Sequence, residues 1–427
     1  MTQKQVEFLT PEKNNHIIVP EYLKECYLDT KHLLLPKNFF YKKLLIFLHI
    51  KIIRKIKIIL YFFLNNKIVF KLPQHKKLVV FDDENFEVLK KIIDNNNYFL
   101  LKTRIEKIDK IYLSKEIIYY LIKNFYKRSL KENYIKILLE KINPKTVITL
   151  IDNSVEFFKI SKLLSNKIKF IAIQNSQRYE FHANNKDLNI PNYFVFGDYE
   201  VDLFKKKNGV GNIKAVGSIS AAVAKKKFKE KNQNIHTTKY DICLISEPRL
   251  KLNRDFQRIH KEFNVKEKMG LIAEYTIRYC KEYNKKFIFS GKADTASLNF
   301  QKQEKLFYQE VIKNKNIQIS FNDKKKFEQY KNIQDSSLII GMSSTMLRDA
   351  FEFRKKILIC NFIDHNDSRP PSNGICVLNS ANYDSFRSRV TEILSLDYES
   401  YLSKIEKASS FYNMQIDTLD FLRNEIK

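Results

Sequence analysis

From residue 78 onward the chain alternates short apolar runs with longer stretches in which apolar side chains return every three or four positions. The short runs have strand length, and the longer ones carry the 3.6-residue period of an amphipathic helix. Strands are predicted at 78–81, 98–101, 146–151, 170–173, 193–196 and 213–216, with helices among them at 114–127, 133–141 and 155–164. A second series follows, with strands at 240–245, 286–289, 317–319, 337–340, 357–360 and 374–377. It contains a long helix at 266–283 and closes with helices at 383–394 and 398–422. Such alternation builds parallel sheets with crossover helices, so the fold class is α/β. Residues 221–239 (AAVAKKKFKEKNQNIHTTK) lack apolar periodicity and predict a connection. The expected organisation is a Rossmann-like domain at 1–220, a linker at 221–239, and a second Rossmann-like domain with terminal helices at 240–427. The two parallel sheets are expected to face a cleft.

In open parallel sheets ligands sit beyond the carboxyl ends of the strands, so the strand-to-helix turns hold the candidate chemistry. In the first half, strands lead into Asp152, Asn153 and Ser154, and into Gln174, Asn175, Ser176, Gln177 and Arg178. In the second half they lead into Glu247, Pro248 and Arg249, into Gly291 and Lys292, and into Ser343, Ser344 and Thr345. The last of these turns is the most informative. A helix N-terminus offers free N–H groups and partial positive charge, which three hydroxyls extend into a phosphate site, with Arg348 one turn further on. A plain cap by Ser344 or Thr345 explains the same residues without a ligand. The position of this turn, in the second half and opposite the Asp152 and Gln174 turns, favours the phosphate site.

A chain of 427 residues is long enough for two cores. Its net charge of +28 points toward a polyanion. That inference is weakened by a general bias toward Lys, Ile, Asn, Phe and Tyr, with no Trp and only 8 Gly, which an AT-rich coding sequence produces by itself. The distribution says more, for twelve Lys or Arg and no Asp or Glu lie between Thr30 and Phe81. Inside that block, residues 39–64 (FFYKKLLIFLHIKIIRKIKIILYFFL) are interrupted by charge too often to span a membrane. Lys51, Arg54 and Lys55 gather near one helical face, the pattern of a basic interfacial helix on an anionic membrane surface. A domain helix with solvated lysines is the alternative. Five scattered cysteines without CxxC spacing, and no apolar leader, predict a reducing cytoplasm and neither a disulfide framework nor a zinc site. The absence of GxxxxGK[ST], GxGxxG and Gly-x-Ser-x-Gly disfavours phosphate-loop hydrolysis, dinucleotide redox chemistry and the hydrolase elbow.

Ser344, Thr345, Asp349 and Ala350, followed by FEFRKKILI, resemble the donor-site motif of GT-B glycosyltransferases that build bacterial surface polysaccharides such as capsule and lipopolysaccharide. The first-half segments DNSVEFFKISKLL, IAIQNSQR, YFVFGDYEVDLF and AVGSIS are similar to surface carbohydrate biosynthesis proteins of that class. The resemblance covers residues 145–220 and 335–361, and residues 1–75 are not matched. It implies a nucleotide-activated sugar donor, UDP-, CDP- or CMP-linked, bound chiefly by the second half. It further implies a glycan or lipid-linked glycan acceptor on the first half and no metal. No cofactor is expected, and the cysteine pattern and the basic block together predict a cytoplasmic enzyme peripheral to the inner membrane face. Carried over residue by residue, Ser343, Ser344 and Thr345 hold donor phosphate, and Asp349 takes the acidic position that meets ribose or sugar. The commoner residue there is Glu, one methylene longer, so Arg348 is a second candidate for the phosphate.

Glu247 and Arg249 are candidates to bracket the base or ribose, and Gly291 and Lys292 to lie beside the phosphate. Asn153, Gln174, Asn175 and Arg178 are candidates to meet the acceptor. An inverting transfer needs a base for the acceptor hydroxyl. Asp152 is the first candidate, with Glu180 and His182 as alternates, while an Asx turn or helix cap preceding Val155 explains Asp152 without catalysis. Two other classes compete. A nucleic-acid-binding protein accounts for the charge but not for the hydroxyl corner, and a sugar-nucleotide epimerase shares the architecture.

Overall fold

The computed structural model describes residues 67–93, 97–104, 107–230, 238–247, 265–294, 297–313, 318–323, 327–363, 369–412 and 416–426. Lys51, Arg54, Lys55 and Arg249 lie outside the described residues, as does most of the Lys- and Arg-rich block.

Eight strands come first: β1 (Lys67–Val69), β2 (Leu78–Phe81), β3 (Tyr98–Leu101), β4 (Lys110–Tyr112), β5 (Thr146–Thr149), β6 (Lys169–Ile173), β7 (Ile190–Val195) and β8 (Val210–Ala215). Six of them form one parallel sheet in the order β3-β2-β5-β6-β7-β8. All four residues of β2 and of β5 are buried, as expected of strands covered on both faces. Their two-residue alternation divides them between separate cores. Val79, Phe81 and Val147 join Phe157 and Phe170 in one, while Leu78, Val80 and Ile148 join Ile171 and Phe194 in the other. Strands β1 and β4 pair with each other apart from this sheet, and at three residues each they are too short for alternation to reveal them.

The second sheet holds β9 (Tyr240–Ile245), β10 (Phe287–Asp294), β11 (Ile319–Asn322), β12 (Ser336–Gly341), β13 (Lys356–Cys360) and β14 (Val377–Leu378). It is parallel throughout, in the order β11-β10-β9-β12-β13-β14. Counted along the chain this is third, second, first, fourth, fifth, sixth, the Rossmann order, whose growth reverses between β9 and β12.

Three differences from the sequence expectation matter. Residues 219–230 of the predicted aperiodic stretch and its flank form a helix, Ile219–Glu230, because Ile219, Val223 and Phe228 are buried with Ala221 and Ala224 between them. Alanines give small apolar faces that a count of large side chains overlooks. The single closing helix predicted at 398–422 is instead a helix at Tyr398–Ser403, a 3₁₀ turn at Ala408–Ser410 and a helix at Thr418–Ile426. A bridge between Gly374 and Ile405 holds the chain where the continuous helix was expected to run. The last helix then returns to the first sheet, where Leu419 and Leu422 join its core and Thr418 Oγ1 donates to the Val216 carbonyl at 2.6 Å. Finally, β10 is longer than predicted, which puts Gly291 and Lys292 inside the strand rather than in a turn beyond it.

The entry into the helix Ile219–Glu230 depends on Gly217, which has φ +92°. A Cβ there would overlap the Tyr412 ring and meet Thr418 Oγ1 at 2.9 Å. Gly217→Ala is therefore expected to lower stability by more than about 1 kcal/mol, read as a lower urea midpoint at unchanged slope.

Candidate functional site

The hydroxyl corner lies where β12 ends, beside the end of β9, at the reversal point of the second sheet. Ser344 caps the helix Thr345–Glu352, its side chain accepting from Met346 N at 3.3 Å. The cap reading is thus satisfied, and the other residues of the corner carry further interactions. Thr345 Oγ1 accepts from the backbone N–H of Gln177 at 3.1 Å, tying the corner to the loop after β6 in the first sheet. A small cavity opens here, lined by Gln177 from the first half and by Met342, Ser343, Ser344, Leu347 and Arg348 from the second. Pro370 and Pro371 close one side.

The corner already binds a carboxylate. Glu247, just beyond β9, accepts from Ser343 N at 2.8 Å and from Met342 N at 3.3 Å through Oε2. Adjacent backbone amides converging on one oxygen form an anion site of the kind phosphates use. Below it, Tyr308 OH donates to Ser246 Oγ at 2.8 Å, and Ser246 in turn donates to Glu304. The Lys292 backbone N–H donates to Glu304 at 2.8 Å, while the Lys292 side chain is exposed. Gly291 serves packing, since a Cβ there meets Ile319 and Phe321 at 2.8 and 2.9 Å.

Arg348 faces the cavity but is committed elsewhere. Both terminal nitrogens donate to the carboxylate of Glu200, a first-half residue, one at 2.8 Å and the other in a shorter contact. Its remaining donors reach the carbonyls of Ser410 at 2.9 Å and Phe411 at 3.0 and 3.1 Å. Gln174 completes this cluster by donating to Glu200 at 3.0 Å and accepting from Phe196 N at 2.8 Å. Both were expected to meet ligands, but both are buried: Arg348 joins the halves through Glu200, while the polar atoms of Gln174 are used within the first half. Asp349 is buried as well and accepts from Tyr330 OH at 2.9 Å, so it meets a tyrosine where a ribose contact was expected. Burial raises its pKa to about 6. One turn on, Glu352 accepts from Ser218 N at 3.2 Å and is raised by burial to about 8.

On the first-sheet side, Asp152 is held on both oxygens. Arg178 donates from Nε at 2.7 Å to one and in a shorter contact to the other, and Tyr193 OH donates at 2.6 Å. Burial first, and Asp152 with it, raises the Tyr193 pKa well above its usual value. A general base must be reachable by the hydroxyl it deprotonates, and Asp152 is buried with three donors on it, so it anchors Arg178 and with it the loop after β6. Asn153 is exposed, and Asn175 accepts from Asn85 Nδ2 at 2.7 Å. Of the alternate bases, Glu180 is exposed. His182 is lowered to about 4, chiefly by burial and then by Arg178, and its Nδ1 accepts from Tyr179 N at 3.2 Å. Glu200, Tyr193, Tyr330 and Glu352 were not singled out from the sequence. Each is a polar residue in an otherwise ordinary helix or strand, and only the partner brought from another element reveals it.

Asp82, Asp83 and Glu84 follow β2, and Arg104 bridges all three at 2.8, 2.6 and 2.9 Å.

Two parallel α/β sheets in succession, joined across their carboxyl ends by this cluster, define a GT-B-like architecture. No protein-family model matches the chain, and no curated protein sequence matches it significantly. Among solved structures, it is similar to the UDP-GlcNAc 2-epimerase of Neisseria meningitidis bound to UDP-GlcNAc, with 12% identity over 82% of this chain and 100% of that one, at TM-score 0.49. It is also similar to the lipopolysaccharide outer core galactosyltransferase WaaB, with 12% identity over 82% of this chain and 99% of that one, at TM-score 0.41. For the wall teichoic acid polymerase TagF with CDPG the identity is 11%, over 91% of this chain and 96% of that one, at TM-score 0.44.

Proposed function

We propose that this chain is a metal-independent GT-B glycosyltransferase, which takes a sugar from a nucleotide donor on the second sheet and passes it to a glycan or lipid-linked glycan hydroxyl on the first. The observation that carries this reading is the position of Ser343, Ser344 and Thr345 at the reversal point of a Rossmann-ordered sheet, with adjacent amides already on an anion. In the proposed reaction the acceptor oxygen forms a bond to the anomeric carbon as the bond from that carbon to the donor phosphate breaks. The phosphate leaves with the bonding electrons, stabilised by the Met342 and Ser343 amides and the corner hydroxyls once Glu247 has yielded them. The acceptor proton passes to a base, for which Glu180, exposed three residues from Gln177, is the candidate best suited. Glu180→Gln is expected to lower kcat by about 10²–10⁴-fold with donor affinity kept, whereas Asp152→Asn is expected to act on stability first.

A thermal-shift panel of CMP, CDP, UDP, GDP and their sugars tests the donor site. One nucleotide at a hundredfold excess over its Kd is expected to stabilise the protein by about 2.7 kcal/mol, and Ser344→Ala or Thr345→Ala to weaken that effect. No stabilisation by any nucleotide, or an effect unmoved by both substitutions, overturns the donor site. Epimerisation of the donor in the absence of acceptor overturns the transferase reading.

A further inference from the structure

The helix Lys115–Lys123 and the turn after it carry apolar side chains on two faces. Its inner face is already satisfied, with Ile117 buried and Tyr120 and Leu121 packed on the first-sheet core. The outer face has no need to be apolar for folding, yet it presents Tyr119, Ile122, Phe125 and Tyr126 at 67%, 71%, 70% and 81% exposure, with Ile118 beside them. Phe70, 75% exposed, adds to this surface, since it follows Val69, whose carbonyl accepts from Leu113 N just before the helix. Single exposed apolar residues are ordinary, but a contiguous group of large ones marks an interaction surface. Exposed Lys115, Lys123 and Lys127 lie along the same segment, where the acidic Glu116 is paired with Lys141, and the Lys123 ammonium stands 6.0 Å from the Tyr119 ring.

We infer that this face docks on an anionic lipid bilayer. Aliphatic and aromatic tips flanked by tyrosines and accompanied by lysines match the layered chemistry of such a surface. The aliphatic side chains enter the acyl boundary, the tyrosine rings rest at the headgroups, and the ammonium groups meet lipid phosphates. A protein partner with an apolar hot spot satisfies the apolar patch but gives no use for the lysines. The inference does not depend on the proposed reaction.

The 427-residue chain contains no Trp, so Phe125→Trp supplies a single fluorescent reporter on this face. The expected result is solvent-type emission in buffer, a blue shift with vesicles of phosphatidylglycerol and phosphatidylcholine, and quenching by brominated acyl chains. Pure phosphatidylcholine vesicles are expected to give no shift. Neutralising Lys115, Lys123 and Lys127 to Gln is expected to weaken vesicle affinity about fivefold for each charge removed. Ile122→Ser in the same reporter is expected to weaken it further without lowering the melting midpoint. Blue emission before lipid is added overturns the inference: if it turns red on dilution a second copy covers the face, and if it does not the chain itself does. Vesicle binding that leaves the emission of the Phe125→Trp reporter unchanged also overturns it, because the bilayer then meets another part of the protein.

Discussion

Replacing Arg348 by Met is expected to destabilise the chain by about 3–5 kcal/mol, and replacing Glu200 by Leu to cost a similar amount. Each substitution leaves the other charge buried without its partner, and Glu200 and Arg348 are both buried. The loss spreads beyond the pair. Arg348 also holds the Ser410 and Phe411 carbonyls, and Glu200 also holds Gln174, so two connecting segments lose donors or acceptors. The double variant Arg348→Met with Glu200→Leu is expected to recover a large part of the loss, since an apolar pair of similar volume removes both desolvation costs. Urea midpoints of the four proteins, combined as a double-mutant cycle, measure the coupling. If Arg348→Met unfolds at nearly the wild-type midpoint but loses nucleotide binding, Arg348 belongs to the ligand and not to the joint between the halves.

Stability is expected to fall as pH rises from about 6.5 to 8, by about 1.4 kcal/mol per unit while Glu352 is the only group changing its proton binding. The sign follows from the direction of the shift. Burial raises the Glu352 carboxyl from its ordinary 4.5 to about 8, so in this range the folded chain keeps a proton that the unfolded chain has released. Its contribution is full below the ordinary value and is lost as pH passes the raised one. Asp349, raised from 3.8 to about 6, acts in the same direction at lower pH. His182 opposes it there, because lowering from 6.5 to about 4 makes the unfolded chain the one that binds more protons. The upper range therefore isolates Glu352. Glu352→Gln is expected to flatten the dependence and to be more stable than wild type at pH 8, with the urea midpoint as the readout. Parallel pH profiles for the two proteins would contradict a titrating Glu352.

Both effects involve residues whose roles local sequence does not reveal. Arg348 and Asp349 were legible as polar residues following a hydroxyl corner, and of the two caps expected there, Ser344 and Thr345, the structure uses Ser344. Their roles were not legible, because those depend on Glu200, Ser218 and Tyr330 arriving from elsewhere in the chain. Asp152 shows the same limit. A carboxylate at a strand end has the same local pattern whether it faces a cleft or meets Arg178 and Tyr193. Glu247 was expected near the ligand, and its hold on the Met342 and Ser343 amides became visible only when β9 and β12 lay side by side.

The α/β class, the two series of strands and helix starts such as those at Val155, Thr345 and Tyr383 can be read from the residues in order, because periodicity and caps are local and each residue reports its own face of a strand or helix. The strand orders, the return of the last helix to the first sheet, and the division of polar residues into those joined and those open to a ligand emerge only in the folded chain. Those outcomes depend on pairing and burial between residues far apart in the chain, a long-range property on which local pattern is silent.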